Sequence, residues 1–126
     1  FKISEDSNCY VSPSVLIDVD HSMSFMMDET FGPTVGIMKV NNEEQAVKLM
    51  NDSPYGLTAC IWTSDKEFAL SFGKKIHTGT FFMNRCDYLD PGLAWTGVKD
   101  TGIGVTLSVL GFDHVSRVKS YHYRTL

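Results

Sequence analysis

Between residues 34 and 84 the chain alternates between β-rich runs and segments of helical period, with short connections throughout. Thr34 to Val40 needs Val35, Ile37 and Val40 buried and reads as a strand, although Gly36 weakens it. Asn41 then stands three residues before Glu44, the spacing of a reciprocal helix cap, and Ala46, Val47 and Met50 share one face. Asn51 to Gly56 is a cluster of turn formers in which Pro54 forbids continuation, and Leu57 to Thr63 is the next strand. Ser64 and Glu67 repeat the capping spacing. Phe68, Ala69, Phe72 and Ile76 fall on one stripe, Lys74 and Lys75 lie near the negative end of the dipole, and Gly79 is placed to end the helix. Thr80 to Asn84 is a short aromatic strand.

Strands that alternate with helices over short connections imply right-handed crossovers and a parallel sheet with helices on its faces. The predicted class is therefore α/β with a doubly wound parallel sheet. Before this unit, Cys9 to Val11 and Val15 to Val19 suggest a hairpin-like start. After it, Asp87 to Gly104 is rich in Gly, Asp and Pro, too irregular for a regular element, and leaves the strand end where open α/β sheets place their sites. Thr106 to His114 reads as one short helix interrupted at Gly111. Ser116 to Arg124 alternates Val118, Tyr121 and Tyr123 with polar residues, the pattern of an exposed terminal strand that needs pairing.

Composition narrows the function classes. The chain has 126 residues, 43% of them hydrophobic, enough for one ordinary domain. Its net charge is −4 with the signs interspersed, so a nucleic-acid partner is not expected. No apolar stretch approaches the roughly 18 residues that span a bilayer, so no membrane association is expected. Cys9, Cys60 and Cys86 are odd in number and far apart, which suits reduced thiols in a cytoplasmic or similar compartment. His21, His77, His114 and His122 show no metal-ligand spacing, and no metal site is predicted. Asp87 and Asp90 read as turn caps in preference to an acid and base pair, and Gly102-Ile103-Gly104 as a turn in preference to a phosphate loop.

Taken together and in order, Glu29-Thr30-Phe31-Gly32-Pro33, Asn51-Asp52-Ser53-Pro54-Tyr55-Gly56-Leu57-Thr58, Gly79-Thr80-Phe81-Phe82-Met83-Asn84 and Trp95-Thr96-Gly97-Val98-Lys99 resemble the aldehyde dehydrogenase superfamily, from about Pro13 to Lys119. The resemblance is to the C-terminal part of such enzymes. It implies oxidation of an aldehyde to a carboxylic acid with NAD or NADP, through a cysteine nucleophile and a general-base glutamate. In the family both lie upstream of the segment matching Glu29, so the isolated chain is expected to be inactive. Cys9 lacks the family's flanking pattern and reads as a small buried residue.

Glu29 matches the family glutamate that accepts hydrogen bonds from the nicotinamide ribose, and Phe31 the aromatic that packs near the nicotinamide; read without the resemblance, they are a surface acid and a core aromatic. Asn84 and Trp95 match the substrate side, with an entrance loop at about residues 85–95, while plain packing is the alternative for Trp95. Residues 1–104 correspond to part of the catalytic domain. Residues 105–126 correspond to a helical return and an oligomerisation strand, with Val118 to Arg124 as the contact of a homo-oligomer. Ser14, Asp28 and Thr101 depart mildly from the family pattern. The rival expectation is an inactive binding or assembly module of the same fold.

Overall fold

The structure is a computed structural model that describes residues 11–86 and 88–126, so the readings of Cys9 and Asp87 lie outside the described residues. Two units are present, residues 1–53 and residues 54–126.

In the first unit Ser14–Ile17 (β1) and Thr34–Ile37 (β2) pair in parallel, Val15 opposite Val35 and Ile17 opposite Ile37. Their β-branched side chains are already restricted at χ1 and suit a pleated surface. The neighbour of β1 is thus a downstream parallel strand; the other arm of the hairpin-like start, Cys9 to Val11, lies largely outside the described residues. The crossover carries a helical turn that sequence patterning does not announce, Ser24–Met27 (α1), which has no side-chain cap. Before it, the backbone N–H and hydroxyl of Ser22 both donate to Asp20 and hold that carboxyl below its ordinary range. Gly36 explains where α1 sits: a Cβ there would stand 3.2 Å from the Phe25 ring and closer still to Met26 Sδ. The glycine that weakens β2 as a strand is what admits the helix against it.

Glu43–Asn51 (α2) starts one residue later than the Asn41–Glu44 spacing suggests. Asn42 is the cap, accepting the Gln45 N–H at 2.9 Å, while Gln45 Oε1 accepts the Asn41 N–H at 2.7 Å. This shift leaves Glu43 and Glu44 in the first turn, beside the positive end of the helix dipole. At its other end Asp52 meets His21 Nδ1 at 2.8 Å.

In the second unit Thr58–Ile61 (β4) and Thr80–Met83 (β5) pair in parallel across the helix Lys66–Gly73 (α3), the strand-helix-strand order read from the sequence. Here too the cap moves by one residue: Asp65, not Ser64, accepts the Phe68 N–H at 2.9 Å. Ala69, Phe72 and Ile76 are buried, and Phe72 tilts against Phe68 and Phe81 at 5.7 and 6.3 Å between ring centres. The helix stops at Gly73, well before Gly79. Gly79 serves a different purpose, since a Cβ on it would overlap the Thr96 carbonyl.

Tyr55–Gly56 (β3) pairs antiparallel with Val98–Lys99 (β7), and Trp95–Thr96 (β6) with Val105–Thr106 (β8). Asp87 to Gly104 therefore holds short strands that its Gly and Asp content conceals. Thr106 to His114 is likewise not one interrupted helix: Gly111 is the first residue of Gly111–Val115 (α4), its N–H donating to Leu107 O at 3.0 Å. From Ser116 onward no strand is formed among the described residues, and every residue is exposed. Among the described residues the chain is thus a mixed α/β pair of units in which the ladders are two-stranded.

Candidate functional site

In the first unit the loop from Asp28 to Pro33 is pinned at both ends. Asp28 N–H closes α1 on Ser24 O at 2.7 Å, while Ser14 N–H donates to Pro33 O at 2.9 Å and Thr34 N–H to Gly32 O at 2.8 Å. Between these pins Glu29 is exposed, and its carboxylate has no hydrogen bond or ion pair among the described residues. Phe31 is 94% exposed. Covering such a ring would contribute about 1.5–3 kcal/mol. An acceptor with no partner among the described residues therefore stands two positions from a bare ring.

In the second unit the site begins where β5 ends. Asn84 adopts φ 55°, a left-handed turn that asparagine tolerates better than most residues, and its carboxamide is committed to Thr63. Thr80 and Phe82 alternate along β5 and form one wall of a cavity of about 150 Å³; Arg85, Tyr88, Asp90 and Leu93 follow from the loop, Trp95 from β6, and Leu107 from beyond β8. Ligand pockets generally start near 300 Å³, so this cavity has the size of a partial binding wall.

Several bonds fix the loop. Asp90 Oδ1 accepts the Gly92 N–H at 2.8 Å, Asp90 O the Leu93 N–H at 3.0 Å, and Pro91 O the Ser108 N–H at 2.9 Å. Leu107 and Ser108 both take left-handed backbone, at φ 61° and 53°, which costs roughly 1–2 kcal/mol per residue. The bonds to Pro91 and Gly111 hold them there and turn Leu107 into the cavity. Arg85 lies over the Tyr88 ring with Cζ 3.7 Å from its centre.

Of the residues singled out from sequence, Trp95 is half-buried and lines the cavity, whereas Asn84 braces the strand end beneath it. Cys86 is exposed and Cys60 half-buried, and neither is in a disulfide among the described residues. Gly102 closes a turn by donating its N–H to Lys99 O at 3.2 Å, with φ 96°. The entrance loop expected at about residues 85–95 contains Arg85 and Tyr88 without singling them out, and Leu107 lies outside it, because a stacking contact within an irregular loop and a left-handed pair have no periodic signature.

The family model described as the aldehyde dehydrogenase family matches residues 2–121, and the chain belongs to that family. It is 33% identical over 122 residues to geranial dehydrogenase of Castellaniella defragrans, a match covering 96% of this chain and 25% of the relative. It is 32% identical to aldehyde dehydrogenase (NAD(P)+) 2 of Saccharomyces cerevisiae, covering 97% of this chain and 24% of the relative. Among solved structures it superposes on a Mycobacterium tuberculosis aldehyde dehydrogenase complexed with NAD+ at a TM-score of 0.80 and 36% identity, covering 83% of this chain and 22% of that one. A Streptococcus pyogenes succinic semialdehyde dehydrogenase in complex with NADP+ gives 0.78 and 38%, covering 82% and 23%. The chain therefore spans about a quarter of the length of the curated relatives it matches.

Proposed function

We propose that this chain contributes coenzyme and substrate contacts to an oxidoreductase that oxidises an aldehyde to a carboxylic acid with NAD or NADP. The family match across nearly the whole chain carries the reading. Support from the geometry is the uncommitted pair Glu29 and Phe31, whose chemistry fits the coenzyme. When bound, NAD(P)+ would supply the hydride acceptor. Glu29 would accept hydrogen bonds from the hydroxyls of the nicotinamide ribose, and Phe31 would pack near the nicotinamide. Trp95 shapes the substrate pocket, and Asn84 fixes the base of the entrance loop.

Residues 1–104 belong, on this reading, to a doubly wound catalytic domain, and residues 105–126 return the chain and supply Val118 to Arg124 to a sheet shared with a second subunit. Support comes from the exposure of Val118 at 99% and Tyr123 at 82%, on a segment without a strand partner among the described residues. The protein works in a reducing, aqueous compartment such as the cytoplasm; Cys60 and Cys86, in no disulfide among the described residues, suit it. No helix among the described residues is long and apolar enough to cross a membrane.

The test is the intact mass of the native protein, with an assay of NAD(P)H formation on a panel of aldehydes. A mass several times the 14.1 kDa of this chain, with activity, is expected. A native mass of this chain alone and no turnover favours the module that binds or assembles without catalysis.

A further inference from the structure

His21 joins two parts of the first unit that lie 31 residues apart in sequence. It stands in the crossover from β1 to β2, and its Nδ1 meets Asp52 Oδ2 at 2.8 Å. A carboxylate only accepts hydrogen bonds, so it is the ring N–H that donates. Asp52 is the C-cap of α2, the negative end of the helix dipole, so donor and helix end are matched. The imidazole is only 18% exposed, whereas the carboxylate is half open.

Among the described residues the backbone bonds of the crossover are local. Met23 N–H donates to Asp20 O at 3.2 Å, and Asp28 N–H to Ser24 O at 2.7 Å. The Ser22 N–H and hydroxyl likewise return to Asp20. These bonds shape the turn and α1 without fixing where they lie on the rest of the unit. Location comes from Phe25 and Met26, which meet the strand at Gly36, and from the bond of His21 to Asp52. With one turn and no side-chain cap, α1 does not hold its place by itself. Glu29 and Phe31 follow directly from its end, and the strands pin the loop only beyond them, at Gly32 and Pro33.

We infer that His21 is a positioning residue for the loop of Glu29 and Phe31: its bond to Asp52 sets where α1 lies, and α1 sets where the loop begins. A loop released from that bond spends less of its time in the arrangement that binds coenzyme, and the apparent affinity falls by the same fraction. The inference rests on the coenzyme role proposed above for Glu29 and Phe31, and adds a residue that acts on them only through the fold.

The experiment measures the dissociation constants of NAD+ and NADP+ by calorimetry on the native protein and on His21→Phe, which keeps a ring but no donor. The constant of the coenzyme that the native protein binds rises about two- to fivefold in the variant, the range for a partly exposed pair. Asp52→Ala, which breaks the bond from its other end, gives the same rise. His21→Asn, which keeps an N–H donor near the Nδ1 position, recovers most of it. In a Glu29→Ala background His21→Phe adds less than it does alone, because the loop then has no carboxylate to place. Full additivity, or a native constant in both His21→Phe and Asp52→Ala, overturns the inference. Amide exchange at Glu29, Thr30 and Phe31 reads the loop without coenzyme: faster exchange in His21→Phe and Asp52→Ala supports the inference, and unchanged exchange overturns it. A native constant in Glu29→Ala defeats the coenzyme reading of the loop instead, and the exchange rates still decide whether His21 places it.

Discussion

Asn84 holds both backbone polar groups of Thr63 with one side chain: its Oδ1 accepts the Thr63 N–H at 2.9 Å and its Nδ2 donates to Thr63 O at 2.8 Å. The two residues sit just past the ends of the parallel strands β5 and β4, so the carboxamide continues the ladder where the backbones part. Asn84→Ala removes both bonds and leaves a residue with a Cβ at φ 55° that alanine resists. The expected loss is about 2–3 kcal/mol, from two exposed hydrogen bonds and the left-handed backbone together. Asn84→Gly, which tolerates the φ, recovers roughly 1 kcal/mol of it. Urea unfolding of the three proteins and exchange of the Thr63 amide check the partition; equal midpoints for Ala and Gly would show that backbone strain plays no part.

Gly79 and Gly36 both refuse a side chain, but for different reasons. At Gly79 the obstacle is the backbone carbonyl of Thr96, which no side-chain change can move; at Gly36 it is chiefly the end of the flexible Met26 side chain. Gly79→Ala is expected to cost ~3 kcal/mol or more by forcing the backbone apart, and no substitution at Thr96 rescues it. Gly36→Ala costs about 1–2 kcal/mol, and Met26→Ala in the same chain removes much of that penalty. A double-mutant cycle from denaturant melts reads both, and additivity of Gly36→Ala with Met26→Ala would sink the argument for Gly36.

Glu29→Gln keeps an acceptor oxygen but loses the charge that strengthens hydrogen bonds to sugar hydroxyls. In the native protein hydride transfer in a single turnover is expected to slow by about tenfold, with the melting curve unchanged because Glu29 is exposed and has no partner among the described residues. A wild-type rate in the variant removes Glu29 from the coenzyme site.

Val15, Ile17, Val35 and Ile37 turn one side of the first ladder to solvent, each more than half exposed, and Val118, Tyr121 and Tyr123 do the same along the terminal segment. Parallel strands are ordinarily covered on both faces. The 126-residue chain is therefore expected to self-associate when concentrated, and Val118→Asp to lower the apparent mass seen by light scattering. A monodisperse monomer that melts cooperatively contradicts this.

The sequence alone carried the strand-helix-strand order of β4, α3 and β5, because periodicity and capping act within a few residues. Ala69, Phe72 and Ile76 fall on one stripe whatever the rest of the chain does. Caps were legible to within a residue: Asn42 and Asp65 displaced Asn41 and Ser64 because hydrogen-bond geometry at a helix start depends on backbone angles that letters do not show. Motif order sufficed for the family, and the roles proposed for Glu29, Phe31, Asn84 and Trp95 rest on it. What only the tertiary structure decided was pairing and enclosure: β2 beside β1, Gly36 beneath α1, Gly79 against Thr96, and Arg85 stacked on Tyr88 over a cavity closed by Leu107. Each joins residues whose separation in sequence has no period, and each is held by packing or backbone contacts that exist only once the chain has folded.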